Sequence, residues 1–133
     1  MKKNIRRFAS GLLILLSASF ALADHPPQPA VTFEGQVVCS VCWDEADRKT
    51  TPYGNAKDIQ CAIRCAKRNI AQALAVMGDK EATLYVLEPG KVKSTTWFSL
   101  IGKLVKITGT VREAGEKKYL KVAAIEKVAT EQK

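Results

Sequence analysis

Residues 59–79 read IQCAIRCAKRNIAQALAVMGD, and where their helix ends decides the fold. Ile59, Ala62, Ile63, Ala66, Ile70, Ala73, Leu74 and Met77 keep helical spacing as far as Gly78, so periodicity alone favours one long helix. Asn69-Ile70 could equally end it. AQALAVM would then be a strand, paired through Gly78-Asp79 with ATLYVLE at 82–88. At the other end, Asp58 is a fair N-cap for a helix that starts at Ile59.

Outward from this stretch the chain reads as β-rich. FEGQVVC at 33–39 carries strand signals, with Gly35 as a candidate bulge. A polar loop, DEADRKTTPYGNAK, follows with turn signals at Pro52 and Gly54-Asn55. Downstream, Pro89-Gly90 stops the 82–88 strand. A short helical turn near 95–101, capped by Ser94 or Thr95, is expected to end at Gly102. KLVKITGTVRE at 103–113 alternates well, with Val105, Ile107 and Val111 facing one way and Lys106, Thr108 and Arg112 the other. AGEK turns the chain into a last strand, KYLKVAAIEKV. Trp97 and Phe98 are expected to plug the end of a barrel and Trp43 to shield the neighbouring thiols.

The N-terminus predicts export. Lys2, Lys3, Arg6 and Arg7 precede the apolar run FASGLLILLSASF, and ALA at 21–23 supplies small residues for cleavage before Asp24. The run is too short and too Ser-rich to favour a membrane span, so no stable anchor is expected after cleavage. The expected organisation is a signal peptide at 1–23, a Pro-rich tether at 24–32 and one domain at 33–130. The sole histidine, His25, lies in the tether and is read as a solvated residue. Four of the 21 basic residues and none of the 13 acidic ones lie in the signal, so the net charge drops from +8 to +4 without it. An exported, mildly basic chain gives no reason to expect nucleic acid as a partner. The site of action is expected to be the periplasm or the exterior.

The chemistry lies in four cysteines: Cys39 and Cys42 in one pair, Cys61 and Cys65 in another, with eighteen residues between the pairs. Cys61 and Cys65 are four apart on a helix, which holds their Cβ atoms about 5–6 Å apart on one face. That is wider than a disulfide's ~3.5–4.5 Å, so any bridge must run across to Cys39 and Cys42 or form within that first pair. Residues three apart on a straight strand face opposite ways, so Cys39 and Cys42 act together only if the chain turns at Ser40-Val41. Such a turn beside a helix bearing two more thiols suits a tetrahedral thiolate site, with Zn–S near 2.3 Å. Cys61 and Cys65 fall off the apolar stripe, on the side shared with Lys57, Arg64 and Arg68. The helix dipole and these cations are expected to lower a thiol pKa there. Because the two share a face, replacing either is expected to have much the same effect.

Three readings follow: a metal site holding Zn²⁺ or Cu⁺ on Cys39, Cys42, Cys61 and Cys65, two structural disulfides, and a reversible dithiol. The first is preferred, as a binding function without catalysis. The second would make the chain a disulfide-stapled module for a ligand or another periplasmic protein. A dithiol oxidoreductase is the sole enzymatic reading worth testing. It is weakened because an acidic loop, rather than a helix, is expected after Cys42, and no Ser/Asp constellation or usable histidine is present.

GQVVCSVCW, CAIRCAKRN, ATLYVLE and GKLVKITGTVRE, in that order behind a signal peptide, resemble a group of small exported bacterial proteins with paired cysteines and no established activity. The resemblance covers roughly residues 33 to 128. It implies a small OB-like barrel, mainly β with one principal α-helix inserted after the first strand. It also implies a helix of about 58 to 68 and a hairpin of about 71–77 with 82–88, against the long helix that periodicity favours. Many of these proteins carry a His three residues before the first helical cysteine. Here that place is Asp58, a possible alternative ligand, and Cys39 could complete the set instead.

Overall fold

Val31–Cys39 form the first strand, β1, in a computed structural model that describes residues 26–45 and 56–129. The expected signal peptide at 1–23, His25 and the turn signals at Pro52 and Gly54-Asn55 lie outside the described residues. β1 begins two residues inside the expected tether. Its burial alternates as far as Glu34, then Val37, Val38 and Cys39 are all buried. A strand reads as a continuous apolar run when both of its faces are covered. Here the barrel interior takes one face and the helical segments take the other.

The next elements are α1 (Ser40–Glu45), α2 (Ala56–Lys67), β2 (Gln72–Met77), β3 (Ala82–Pro89), α3 (Ser94–Phe98), β4 (Leu104–Ala114) and β5 (Lys117–Lys127). The strands close a ring in the order β1-β2-β3-β5-β4, antiparallel throughout except for β3 against β5. The result is a small, mainly β fold with short helices. Among the described residues no helix is long and apolar enough to cross a membrane.

The long helix that periodicity favours does not form. α2 stops at Lys67 because Asn69 enters the left-handed region at φ 60°, which asparagine tolerates better than most side chains. The Ile70 N–H donates to the Cys65 carbonyl and the Asn69 N–H to that of Ala66, both at 3.0 Å. These are the two bonds of a Schellman cap. The chain thus leaves the helix and starts β2 within five residues, and the hairpin implied by the resemblance is what forms.

Four local expectations are corrected. α2 begins at Ala56, so Asp58 sits in its first turn, where a carboxylate suits the helix dipole, instead of preceding it. Ser94 is itself helical and Lys93 occupies the N-cap without a side-chain bond, so neither Ser94 nor Thr95 caps α3. The chain does not enter the expected loop after Cys42 but stays in a short helix, α1, as far as Glu45, which removes that ground against the dithiol reading. Gly35 is not a bulge: the irregularity lies between Thr108 and Gly109 in β4. Gly35 pairs with Val105 of β4, the next residue Gln36 pairs with both β4 and β2, and a Cβ at Gly35 would stand 2.4 Å from the Ala75 carbonyl oxygen. Glycine is needed for that close approach.

The core is built from Val37, Leu74, Val105, Ile107, Leu120 and Val122, with Trp97 of α3 reaching into it at 1% exposure. Phe98 beside it is only partly buried, so Trp97 is the plug. α2 is seated by Ala62 and Ala66, and Ile59 packs where a side chain on Gly102 would have to be: a Cβ there would meet its Cγ1 at 2.9 Å. Gly102 also has φ 77° and donates to the Val37 carbonyl at 2.7 Å. This turn holds α2 against β1, the strand that ends in Cys39.

Candidate metal centre

Three elements converge on one point. Cys39 is the last residue of β1, Cys42 lies in α1, and Cys61 and Cys65 lie on α2. Because α1 starts directly after Cys39, the chain turns at Ser40-Val41 as the cysteine pair requires. The turn is tied down by Ser40, whose N–H and hydroxyl both donate to the Ala71 carbonyl, at 3.4 and 2.8 Å. Ala71 lies just past the cap of α2, so the end of that helix and the turn between the first two cysteines are fixed to each other.

The sulfurs of Cys39, Cys42 and Cys65 all lie within 4.8 Å of one another. Cys42 and Cys65 are 3.9 Å apart. Four thiolates around a metal at about 2.3 Å have tetrahedral edges of about 3.8 Å, so this spacing fits one edge of such a site. Cys61 touches Cys42 at 3.1 Å but falls outside the 4.8 Å set. Asp58 also lies outside it, in the first turn of α2. Cys39 is fully buried, whereas the other three cysteines are partly exposed. Trp43, next to Cys42, packs against the core at its edge. The four thiols are free, and three of them stand close enough to hold a metal ion.

The electrostatics run opposite to the sequence expectation. Burial pushes the Cys42 thiol up, and hydrogen bonds with Cys61 and Cys39 push it further the same way. Cys65 is also raised, first by burial and then by a hydrogen bond with Cys39 and its charge. Burial is the larger cause for both thiols, and the neighbouring sulfurs add to it. The sign has a consequence for the reduced, metal-free protein. The unfolded chain loses these protons near the ordinary value of 9.0 while the folded chain keeps them. The stability they contribute is therefore complete below pH 9.0 and declines above it. Urea midpoints measured under reductant should fall as pH passes above 9, more steeply than in a Cys42→Ser variant. Parallel pH profiles for the two proteins would contradict this.

No protein-family model matches the chain, and no curated protein matches it.

Proposed function

We propose that this chain is an exported, non-catalytic metal-binding protein that holds Zn²⁺ or Cu⁺ on Cys39, Cys42 and Cys65, on an OB-like barrel. The observation that carries the reading is the mutual approach of those three sulfurs within 4.8 Å, contributed by a strand, a short helix and the principal helix. Soft thiolate sets select Zn²⁺ and Cu⁺ among biological metals. The ring order, with its single parallel pair, supports an OB-like barrel, as does the plugging helix α3 between β3 and β4. The signal-like residues 1–23 support export.

A second reading, a disulfide-stapled binding module, is supported by the 3.1 Å contact of Cys42 with Cys61 across two elements. The dithiol-enzyme reading is weakened by the complete burial of Cys39, the first thiol of its pair.

The deciding measurement is metal titration of the reduced protein under anaerobic conditions. One ion per chain is expected, with protons released as the raised thiols ionise, and with affinity that weakens as pH falls. At free metal about 100 times Kd, the bound ion should stabilise the fold by about 2.7 kcal/mol. Protein taken directly from the periplasm with its cysteines unreactive to alkylation until reduced, and with a melting temperature indifferent to chelator, would overturn the metal reading.

A further inference from the structure

Cys42 stands at a fork in the cluster. Its sulfur is 3.9 Å from that of Cys65, within the set that includes Cys39, and 3.1 Å from that of Cys61, which lies outside the set. A sulfur committed to a disulfide has no thiolate left for a metal. Disulfide sulfurs lie at about 2.05 Å, so the Cys42–Cys61 pair has only about 1 Å to close, less than Cys42–Cys65. Cys61 and Cys65 share a helix at a spacing that disfavours a bridge between them. Cys42 and Cys61 are both partly exposed while Cys39 is buried, so a dissolved oxidant meets these two before Cys39.

We propose that Cys42 and Cys61 form a reversible disulfide that competes with metal for Cys42, so that oxidation dismantles the three-thiolate set. The linkage itself stands on the sulfur geometry. Its effect on metal rests on the metal-binding reading above.

The oxidant is a low-molecular-weight disulfide. The thiolate of one of the two cysteines attacks it, breaking its S–S bond, forming a mixed disulfide and releasing one small thiolate. The second cysteine then attacks the protein sulfur of that mixed disulfide. The Cys42–Cys61 bond forms and a second small thiolate leaves. The two cysteines together lose two electrons, and the small disulfide gains them to become two thiols. The two protons given up by the cysteines end on those thiols, and a bound ion loses its hold on Cys42. Cys39 and Cys65, within 4.8 Å of each other, are then the one pair left for a second equivalent of oxidant.

Two measurements on the full chain test this. In the first, reduced metal-free protein is treated with one equivalent of oxidised glutathione, alkylated and mapped by mass spectrometry. The expected product links Cys42 to Cys61 and leaves Cys39 and Cys65 alkylated. A first linkage of Cys39 to Cys42, or of Cys42 to Cys65, would overturn the proposal. In the second, zinc-loaded protein is treated with the same oxidant and zinc release is followed with a chromogenic chelator. Release from Cys61→Ser should be at least about tenfold slower than from the wild type. Equal release would overturn the competition, with Cys61→Ala as a second variant should the serine protein fail to fold. If the reduced protein binds neither Zn²⁺ nor Cu⁺, the metal reading and the competition fall together, and the peptide map still decides the linkage.

Discussion

Cys65→Ser is expected to lower metal affinity by more than the ~10–100-fold that loss of an outer-shell partner costs, whereas Cys61→Ser should lower it by less than about tenfold. Cys65 belongs to the set of three close sulfurs and Cys61 does not. A serine hydroxyl stays protonated at neutral pH and is a poor ligand for a soft ion, so the first variant leaves two thiolates where there were three. The second removes a neighbour that Cys42 touches at 3.1 Å. Cys39→Ser should also abolish tight binding, but it places a hydroxyl at a fully buried position and costs fold stability as well. Cys65→Ser, on a partly exposed helix face, separates the two effects. Competition titration against a chelator of known affinity reads the difference directly. Equal losses for Cys61→Ser and Cys65→Ser would mean that all four thiolates bind, as expected from the sequence alone.

Trp97→Ala should cost about 3–5 kcal/mol, a large part of what a domain of this size has to lose. The side chain is 1% exposed and anchors α3 to the core. Its indole N–H has no hydrogen-bond partner among the described residues. That detail sharpens the test. Trp97→Phe keeps most of the apolar volume and removes a buried donor whose lack of a partner costs about 1–3 kcal/mol. Its loss should therefore be well below that of the alanine variant. Urea unfolding of both variants measures this through the midpoint at constant slope. A phenylalanine variant as unstable as the alanine one would show that the indole N–H is satisfied and contributes.

Much of the barrel was legible because its strands alternate. Val105 and Ile107 are buried and Lys106 is exposed, as the period of two requires. β2 was not legible from pattern, because Gln72, Ala73, Leu74 and Ala75 are all buried and leave no alternation to detect. Ile70 before it and its own Ala73, Leu74 and Met77 happen to continue the helical spacing of α2. The signal that ends the helix is a single residue, Asn69, whose left-handed conformation is a matter of degree in sequence and unambiguous in structure. α1 is six residues long, too short to show a period, and its acidic end reads as loop. In the cluster, the four cysteines and the turn between the first two were evident from spacing. Two features were not: that Cys61 touches Cys42 yet falls outside the set of three mutually close sulfurs, and the upward shift of the Cys42 and Cys65 thiols. Both depend on how α1 seats against α2, which no spacing rule contains.

The parallel pairing of β3 with β5 carries a consequence for biogenesis. Tyr85–Pro89 find their partners at Lys118–Val122, and β4 in turn bonds along nearly the whole of β5. Until β5 is added, both β3 and β4 present open edges, and strand edges recruit other chains. The ring is also completed by pairings distant in sequence, Val31 against Gly109 among them, which form slowly relative to local contacts. A nascent chain on the ribosome therefore cannot close this barrel before its last strand emerges. That delay leaves closure of the ring, and assembly of the sulfur cluster hung on β1, until the complete chain is released.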